Sequence, residues 1–238
     1  MELYKTLKEE AYEANMEIKK QKLAIYTWGN VSAFDPEKRV FAIKPSGVAY
    51  EKLTPQSIVV VDLDGKIVEG DFNPSSDTET HRILYRDFAE RGEKILGITH
   101  THSTYAVAWA QARLSVPVFG TTHADHGAEE IPCTEIMSAE AVRGNYELET
   151  GNLILETFRK KGINPFHMPM VLVAGHGPFT WGKNAAQSIY HAAVLEEVCK
   201  MAILTLRLAP DAEALPLHII RKHWERKHGA NAYYGQKN

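Results

Sequence analysis

Ser57-Ile58-Val59-Val60-Val61-Asp62-Leu63-Asp64-Gly65-Lys66-Ile67-Val68 reads as two strands joined by a tight turn. The β-branched run supplies the first strand, and Gly65 accepts the positive φ that a reversal after Asp64 needs. Strands joined this way run antiparallel. Outward from the hairpin, Arg39–Ile43 is a further strand-like run, and Ile95–Thr101 and Met170–Ala174 read as buried strands. Leu3, Leu7, Ala11, Ala14 and Ile18 fall on one face of a helix from residue 2 to about 21. Helical patterns recur at Thr78–Arg91, Ser103–Ala112, Asn152–Lys161 and Ala185–Leu208, and from Pro216 to about His228. Strands outnumber what a single parallel βαβ repeat supplies. The expectation is an α/β chain, residues 1–238 in one domain, with helices packed on a mixed or mainly antiparallel sheet.

The 238 residues are 44% hydrophobic and 24% charged, enough for one large core. Net charge is −3 with 11 histidines counted neutral, and no run of Lys or Arg appears. Nucleic acid and anionic membrane are therefore not expected as partners. No apolar stretch approaches the roughly 20 residues of a membrane span. Cys133 and Cys199 are far apart with no C-x-x-C, as suits buried thiols in a reducing compartment. The first residues run straight into the amphipathic pattern rather than a secretory signal, so the cytoplasm is the expected location.

His100-Thr101-His102 ends the Ile95 strand. Residues two apart in a strand share a face, so both imidazoles can converge on one point. His176 ends the Val171 strand between Gly175 and Gly177. Three neutral imidazoles with an open position suit a catalytic divalent metal. Pro74-Ser75-Ser76-Asp77-Thr78-Glu79 opens a helix; Ser76 with Glu79 fits a capping box, while the two serines at a helix start also suit phosphate. Lys44-Pro45-Ser46-Gly47 is a second anion-friendly loop. Thr121-Thr122-His123-Ala124-Asp125-His126 could present acid/base groups or be a hydrophilic loop. The tail Tyr233-Tyr234 is close to the end yet follows a helix rich in His and Arg. The P-loop, dinucleotide, nucleophile-elbow and H-E-x-x-H signatures are all missing.

Together these segments resemble the class II aldolase/epimerase superfamily, most closely its pentulose-phosphate 4-epimerase branch. The resemblance runs nearly end to end. It is carried by Thr27-Trp28-Gly29-Asn30-Val31-Ser32, Ile43-Lys44-Pro45-Ser46-Gly47, Pro74-Ser75-Ser76-Asp77-Thr78, Thr99-His100-Thr101-His102-Ser103, Gly120–Asp125, Gly175-His176-Gly177 and Ala232-Tyr233-Tyr234-Gly235-Gln236. It implies a three-layer α/β/α fold around a largely antiparallel sheet. It implies His100, His102 and His176 as ligands of one divalent metal, Zn²⁺ or else Mn²⁺, with Asp77 the carboxylate beside it. Asn30, Lys44, Ser46, Gly47, Ser75 and Ser76 become the phosphate pocket. Asp125 and Tyr234 become an acid/base pair lent by a neighbouring subunit of a homotetramer, with Thr121, Glu147, His223 and Arg226 in support.

The reaction so implied interconverts L-ribulose 5-phosphate and D-xylulose 5-phosphate. The C4 hydrogen lies two carbons from the C2 carbonyl and is not acidic, so C3–C4 cleavage and re-addition to the other face of the aldehyde is the expected route. The nearest alternative is a class II aldolase of the fuculose or rhamnulose phosphate type, which tends to carry Glu where Asp77 stands. A non-catalytic adducin-like scaffold would not need the three histidines and the acid/base pair together.

Overall fold

The structure is a computed structural model and describes residues 3–230, 232 and 233. Seven strands form one sheet: β1 (Asn30–Asp35), β2 (Val40–Ile43), β3 (Val59–Asp62), β4 (Ile67–Glu69), β5 (Gly97–His100), β6 (Met170–Val173) and β7 (Gly177–Gly182). Their spatial order is β4-β3-β2-β1-β5-β7-β6, and every pairing is antiparallel. The hairpin forms as expected from its residues. Gly65, at φ +88°, donates its amide to the Asp62 carbonyl at 3.1 Å, and the Asp62 carboxylate accepts from the amides of Asp64 and Lys66, each at 2.9 Å. A bulge between Val60 and Val61 shifts the β3–β4 register, and β4 is the short outer strand.

The helices are α1 (Lys5–Lys20), α2 (Thr78–Glu90), α3 (Thr104–Ala112), α4 (Thr121–Ala124), α5 (Ala139–Arg143), α6 (Tyr146–Lys161), α7 (Ala185–Leu208) and α8 (Leu217–His228). Alternate strand residues go to opposite faces. Val59 and Val61 join Phe41 and Ile43 beneath Leu84, Tyr85 and Phe88 of α2 and Ile154, Leu155 and Phe158 of α6. Val60 joins Val31, Ala33 and Ala42 against Ala11, Ala14 and Ile18 of α1 and Ala185, Ile189 and Ala192 of α7. Two cores on the two faces of one sheet make the three-layer α/β/α arrangement. Truncating Phe88, 1% exposed, to Ala would cost about 3–5 kcal/mol. At the far edge, the segment at 132–134 closes β6: Leu172 donates to the Pro132 carbonyl and Thr134 donates to the Leu172 carbonyl, both at 2.9 Å.

Four local expectations differ from what forms. β1 and β7 carry no clean alternation and are additional strands. α6 starts at Tyr146, well before Asn152, because Asn145 caps it by accepting the Leu148 amide at 3.1 Å. The polar segment after Gly120 contains the short helix α4 rather than a plain loop. The Ser76–Glu79 capping box does not form. Asp77 occupies the cap position without a side-chain cap bond, the Thr78 hydroxyl donates to the Ser75 carbonyl at 2.6 Å, and Glu79 pairs with Arg82.

Candidate active site

Three elements bring the histidines together. β5 ends at His100, whose register partners are Asn30 on β1 and Phe179 on β7. His102 follows two residues on, and His176 sits on the β6–β7 turn that Gly175 makes at φ +71°. The ring of His100 lies 4.8 Å from those of His102 and His176, and His102 lies 5.3 Å from His176. One ligand atom from each falls within 4.8 Å of the others. The His100 Nδ1–H donates to the Pro178 carbonyl at 2.9 Å, leaving its Nε2 as a lone pair 3.1 Å from His102 Nε2. Two imidazole nitrogens facing each other at that distance, with His176 Nδ1 buried and unpartnered, suit a shared cation. Burial lowers the pKa of His102 and brings that of His176 to about 4, which keeps both as neutral ligands near pH 7.

Asp77 stands beside this set at the start of α2. Its Oδ2 accepts from Asn30 Nδ2 at 2.7 Å, and the same amide reaches Ser75 Oγ at 3.1 Å. Burial opposes ionisation of Asp77, but the nearby His100, His81 and His176 and the Asn30 bond hold its pKa below the usual carboxylate value. A cleft of about 520 Å³ opens here, lined by Asn30, Lys44, Ser46, Gly47, Ser75, Ser76, Asp77 and His102. Lys44 is buried in its wall, donating to the Pro45 carbonyl at 3.4 Å, and burial pulls its pKa down to about 8. Every residue expected to hold phosphate thus shares one cleft with His102 of the histidine cluster.

Three residues at this site were not anticipated. Half-exposed Trp28 packs its ring 6.0 Å from that of His102. Tyr146, opening α6, lies 6.3 Å from the His176 ring. His81 is fully buried one helical turn after Asp77, and burial takes its pKa to about 3. Trp28 precedes Asn30 by two positions and His81 follows Asp77 by four, so periodicity from the neighbouring site residue was the available signal.

Asp125 lies elsewhere. It follows α4, its amide donating to the Thr121 carbonyl at 2.9 Å. Its carboxylate accepts from His223 Nδ1 at 3.0 Å and from Arg226 Nε and Nη2 at 3.0 and 2.6 Å, with Lys227 Nζ at 3.8 Å. Burial works against its charge, but these donors and cations keep its pKa low. It faces a second cleft, of about 420 Å³, with His126, Tyr190, Trp224, Lys227 and His228, and none of His100, His102 and His176 lines it. His223 and Arg226 are thus direct hydrogen-bond partners of the Asp125 carboxylate. Glu147 is in the first turn of α6, where its carbonyl accepts the Thr80 hydroxyl at 2.6 Å. Tyr234 lies outside the described residues.

A sequence model of the family described as Class II Aldolase and Adducin N-terminal domain matches residues 9–203. The chain belongs to this family. Among named relatives of this class II aldolase/adducin chain, L-ribulose-5-phosphate 4-epimerase UlaF of Salmonella paratyphi C (strain RKS4594) is 49% identical over 231 residues, 97% of this chain and 99% of the relative. The protein of the same name from Salmonella choleraesuis (strain SC-B67) gives the same identity and coverage. Among solved structures, an L-fuculose 1-phosphate aldolase superposes with a TM-score of 0.77 at 25% identity, covering 93% of this chain and 95% of that one. L-fuculose 1-phosphate aldolase from Glaciozyma antarctica PI12 shares the fold, with a TM-score of 0.73 at 16% identity over 96% of this chain and 84% of that one. The three-layer fold expected of a class II aldolase-like chain is the one observed.

Proposed function

We propose that the chain is a divalent-metal-dependent L-ribulose-5-phosphate 4-epimerase. In this reading it interconverts L-ribulose 5-phosphate and D-xylulose 5-phosphate by breaking and remaking the C3–C4 bond. The observation that carries the reading is the single cleft in which Asn30, Lys44, Ser46, Gly47, Ser75 and Ser76 meet Asp77 and His102. A phosphate and a metal-dependent reaction centre are what such a cleft can hold together. The epimerase relatives match at 49% identity over nearly the whole chain, which favours epimerase over aldolase.

His100, His102 and His176 would hold a divalent cation, Zn²⁺ or Mn²⁺ in its place, which when bound would supply Lewis acidity to the carbonyl end of the substrate. The chain's own residues do the rest. Lys44 contributes one positive charge, and the Ser46, Ser75 and Ser76 hydroxyls, the Gly47 amide and the Asn30 side chain contribute hydrogen-bond donors for the phosphate. They keep glycolaldehyde phosphate from leaving while it turns its other face to the dihydroxyacetone enediolate. Asp77 balances charge beside the histidines. Asp125 and Tyr234, from a neighbouring subunit of a homotetramer, exchange the C4 hydroxyl proton on the two faces. The separate cleft of Asp125 supports that placement, since Asp125 can then serve a site other than its own chain's. Thr121, Glu147, His223 and Arg226 position this machinery. Two free, buried cysteines suit a cytoplasmic enzyme, and among the described residues no helix is long and apolar enough to cross a membrane.

The test is to incubate metal-analysed protein with L-ribulose 5-phosphate and follow both D-xylulose 5-phosphate and free glycolaldehyde phosphate. Stoichiometric xylulose phosphate with no free aldehyde is expected. Net release of aldehyde would instead make the chain an aldolase.

A further inference from the structure

Behind the cleft lies a buried polar row that the proposed mechanism leaves unused. His81 follows Asp77 by one turn of α2, and its backbone amide donates to the Asp77 carbonyl at 3.0 Å. Its Nδ1 lies 2.7 Å from Ser32 Oγ on β1. The Tyr85 hydroxyl reaches that same Oγ at 2.8 Å, closer than its 3.1 Å contact with the Ser32 carbonyl. Ser32, His81 and Tyr85 are all 0% exposed. His81 Nε2, at the end of the row, is buried with no hydrogen-bond partner among the described residues.

Side chains on a helix lean toward its N-terminus, which carries the His81 imidazole toward Asp77. The ring is fixed on its other flank by Phe179, edge-on at 6.0 Å, and Phe179 stacks on His100 at 4.2 Å. Phe179 thus packs against both His81 and His100. A bare lone pair at Nε2 would repel the Asp77 carboxylate; an N–H there is attracted to it. The row accommodates the second case. Tyr85 donates to Ser32 Oγ, Ser32 donates to Nδ1, and the imidazole proton sits on Nε2.

We propose that His81 is a positioning residue whose Nε2–H, in the tautomer that Ser32 and Tyr85 accommodate, attracts the Asp77 carboxylate electrostatically and steadies it beside the metal site, complementing the hydrogen bond from the Asn30 amide. The inference rests on the metal reading of the three histidines proposed above. It predicts that loss of Nε2, and not of Nδ1, loosens the metal site, and that it does so through Asp77.

The experiment follows zinc release from loaded protein into excess chelator, without substrate. His81→Asn keeps an amide near the Nδ1 position and deletes Nε2; His81→Gln places an amide nitrogen near Nε2. His81→Asn is expected to release zinc about tenfold faster than wild type, at the low end of what an outer carboxylate partner contributes, and His81→Gln to stay within about twofold. Asp77→Asn should release zinc faster, and adding His81→Asn to it should change nothing further. Equal release from His81→Asn and His81→Gln would overturn the inference, as would a His81→Asn effect undiminished in the Asp77→Asn background. Should His81→Asn not fold, Ser32→Ala leaves the imidazole in place and removes the hydroxyl that sets its tautomer. Release several-fold faster than wild type is then expected, and unchanged release overturns the idea. A wild type that binds no zinc removes this inference together with the metal assignment. A wild type that binds zinc with this release pattern but forms no D-xylulose 5-phosphate supports the role of His81 and refutes only the epimerase reading.

Discussion

Replacing Lys44 with Met should make the protein more stable and a worse enzyme. Lys44 is 2% exposed, its ammonium 3.4 Å from the Pro45 carbonyl and 5.1 Å above the Tyr50 ring. Burial lowers its pKa from 10.5 to about 8. At about 1.4 kcal/mol per tenfold change in proton affinity, holding the charge there costs about 3 kcal/mol relative to the unfolded chain. Because the folded pKa lies below the unfolded one, the cost is full below about pH 8, shrinks as pH rises from 8 to 10.5, and is gone above that. Met is close in volume and carries no charge. After losing a cation–π contact worth up to about 2 kcal/mol, the variant should still gain about 1–3 kcal/mol. For a chain of this size that raises Tm by about 2–12 °C at pH 7. The phosphate loses a charge-assisted hydrogen bond worth about 1.5–3 kcal/mol, so KM for L-ribulose 5-phosphate should rise roughly 10- to 150-fold. Calorimetry and a coupled epimerase assay read the two effects, and wild-type kcat/KM should also fall above about pH 8 while the variant's stays flat. A variant of lower Tm with unchanged KM would refute both the buried-charge reasoning and the phosphate role.

His100→Asn, His102→Asn or His176→Asn should each strip bound metal and activity while circular dichroism remains native, and full metal content in any one would remove that residue from the ligand set. Ser76→Ala should raise KM with no loss of Tm, since Ser76 makes no cap bond; a Tm drop of about 2–4 °C, the equivalent of a lost cap, would mean that a cap does form in solution. Asp125→Asn should lower Tm at neutral pH. The depressed pKa of Asp125 means that its stabilisation is present above the ordinary carboxylate pKa and vanishes as pH falls through the folded value, so the Tm difference should begin to shrink near the ordinary carboxylate pKa of about 4 and narrow further as pH falls. A gap that does not narrow at all on acidification below about pH 4 would show that packing rather than charge is responsible. Tyr234→Phe should leave metal content unchanged and reduce kcat about 10²–10⁴-fold. Mixed with inactive His100→Asn it should regain activity, and no recovery despite proven subunit exchange would place Tyr234 in its own chain's site.

The hairpin and the His-x-His pair were legible because each depends on neighbours in sequence: a glycine after aspartate, and two imidazoles at strand spacing. β1 was not, because Asn30 and Ser32 put polar groups at buried strand positions. Their partners come from distant segments, Asp77 for Asn30 and His81 with Tyr85 for Ser32. Val31 is likewise tied by its amide and carbonyl to the side chain of Asn15 on α1. β7 was hidden by its Gly-Pro opening, although the Pro178 carbonyl is what orients His100. The capping box failed for a related reason: the local pattern was present, but Arg82 claims Glu79. Asp125 sat in a segment that looked like polar loop, and the residues that hold it, His223 and Arg226, are 98 and 101 positions away. Only the family resemblance could connect them.

An open sheet ordinarily carries an aggregation hazard, because an outer strand offers unpaired amides and carbonyls to any extended chain. Here both margins are blunted. β4 has three residues, set off register by the bulge at Val60 and Val61, and Lys8 reaches across from α1 to its Glu69 at 2.9 Å. At the opposite margin the 132–134 segment takes the backbone groups of Leu172 that a foreign strand would need. The described residues thus leave another copy little free edge on which to extend the sheet, which favours ordered assembly through helices, loops and side chains. The same plugging means that fibril-type association requires prior opening of an edge, so heat-induced turbidity should follow unfolding rather than precede it.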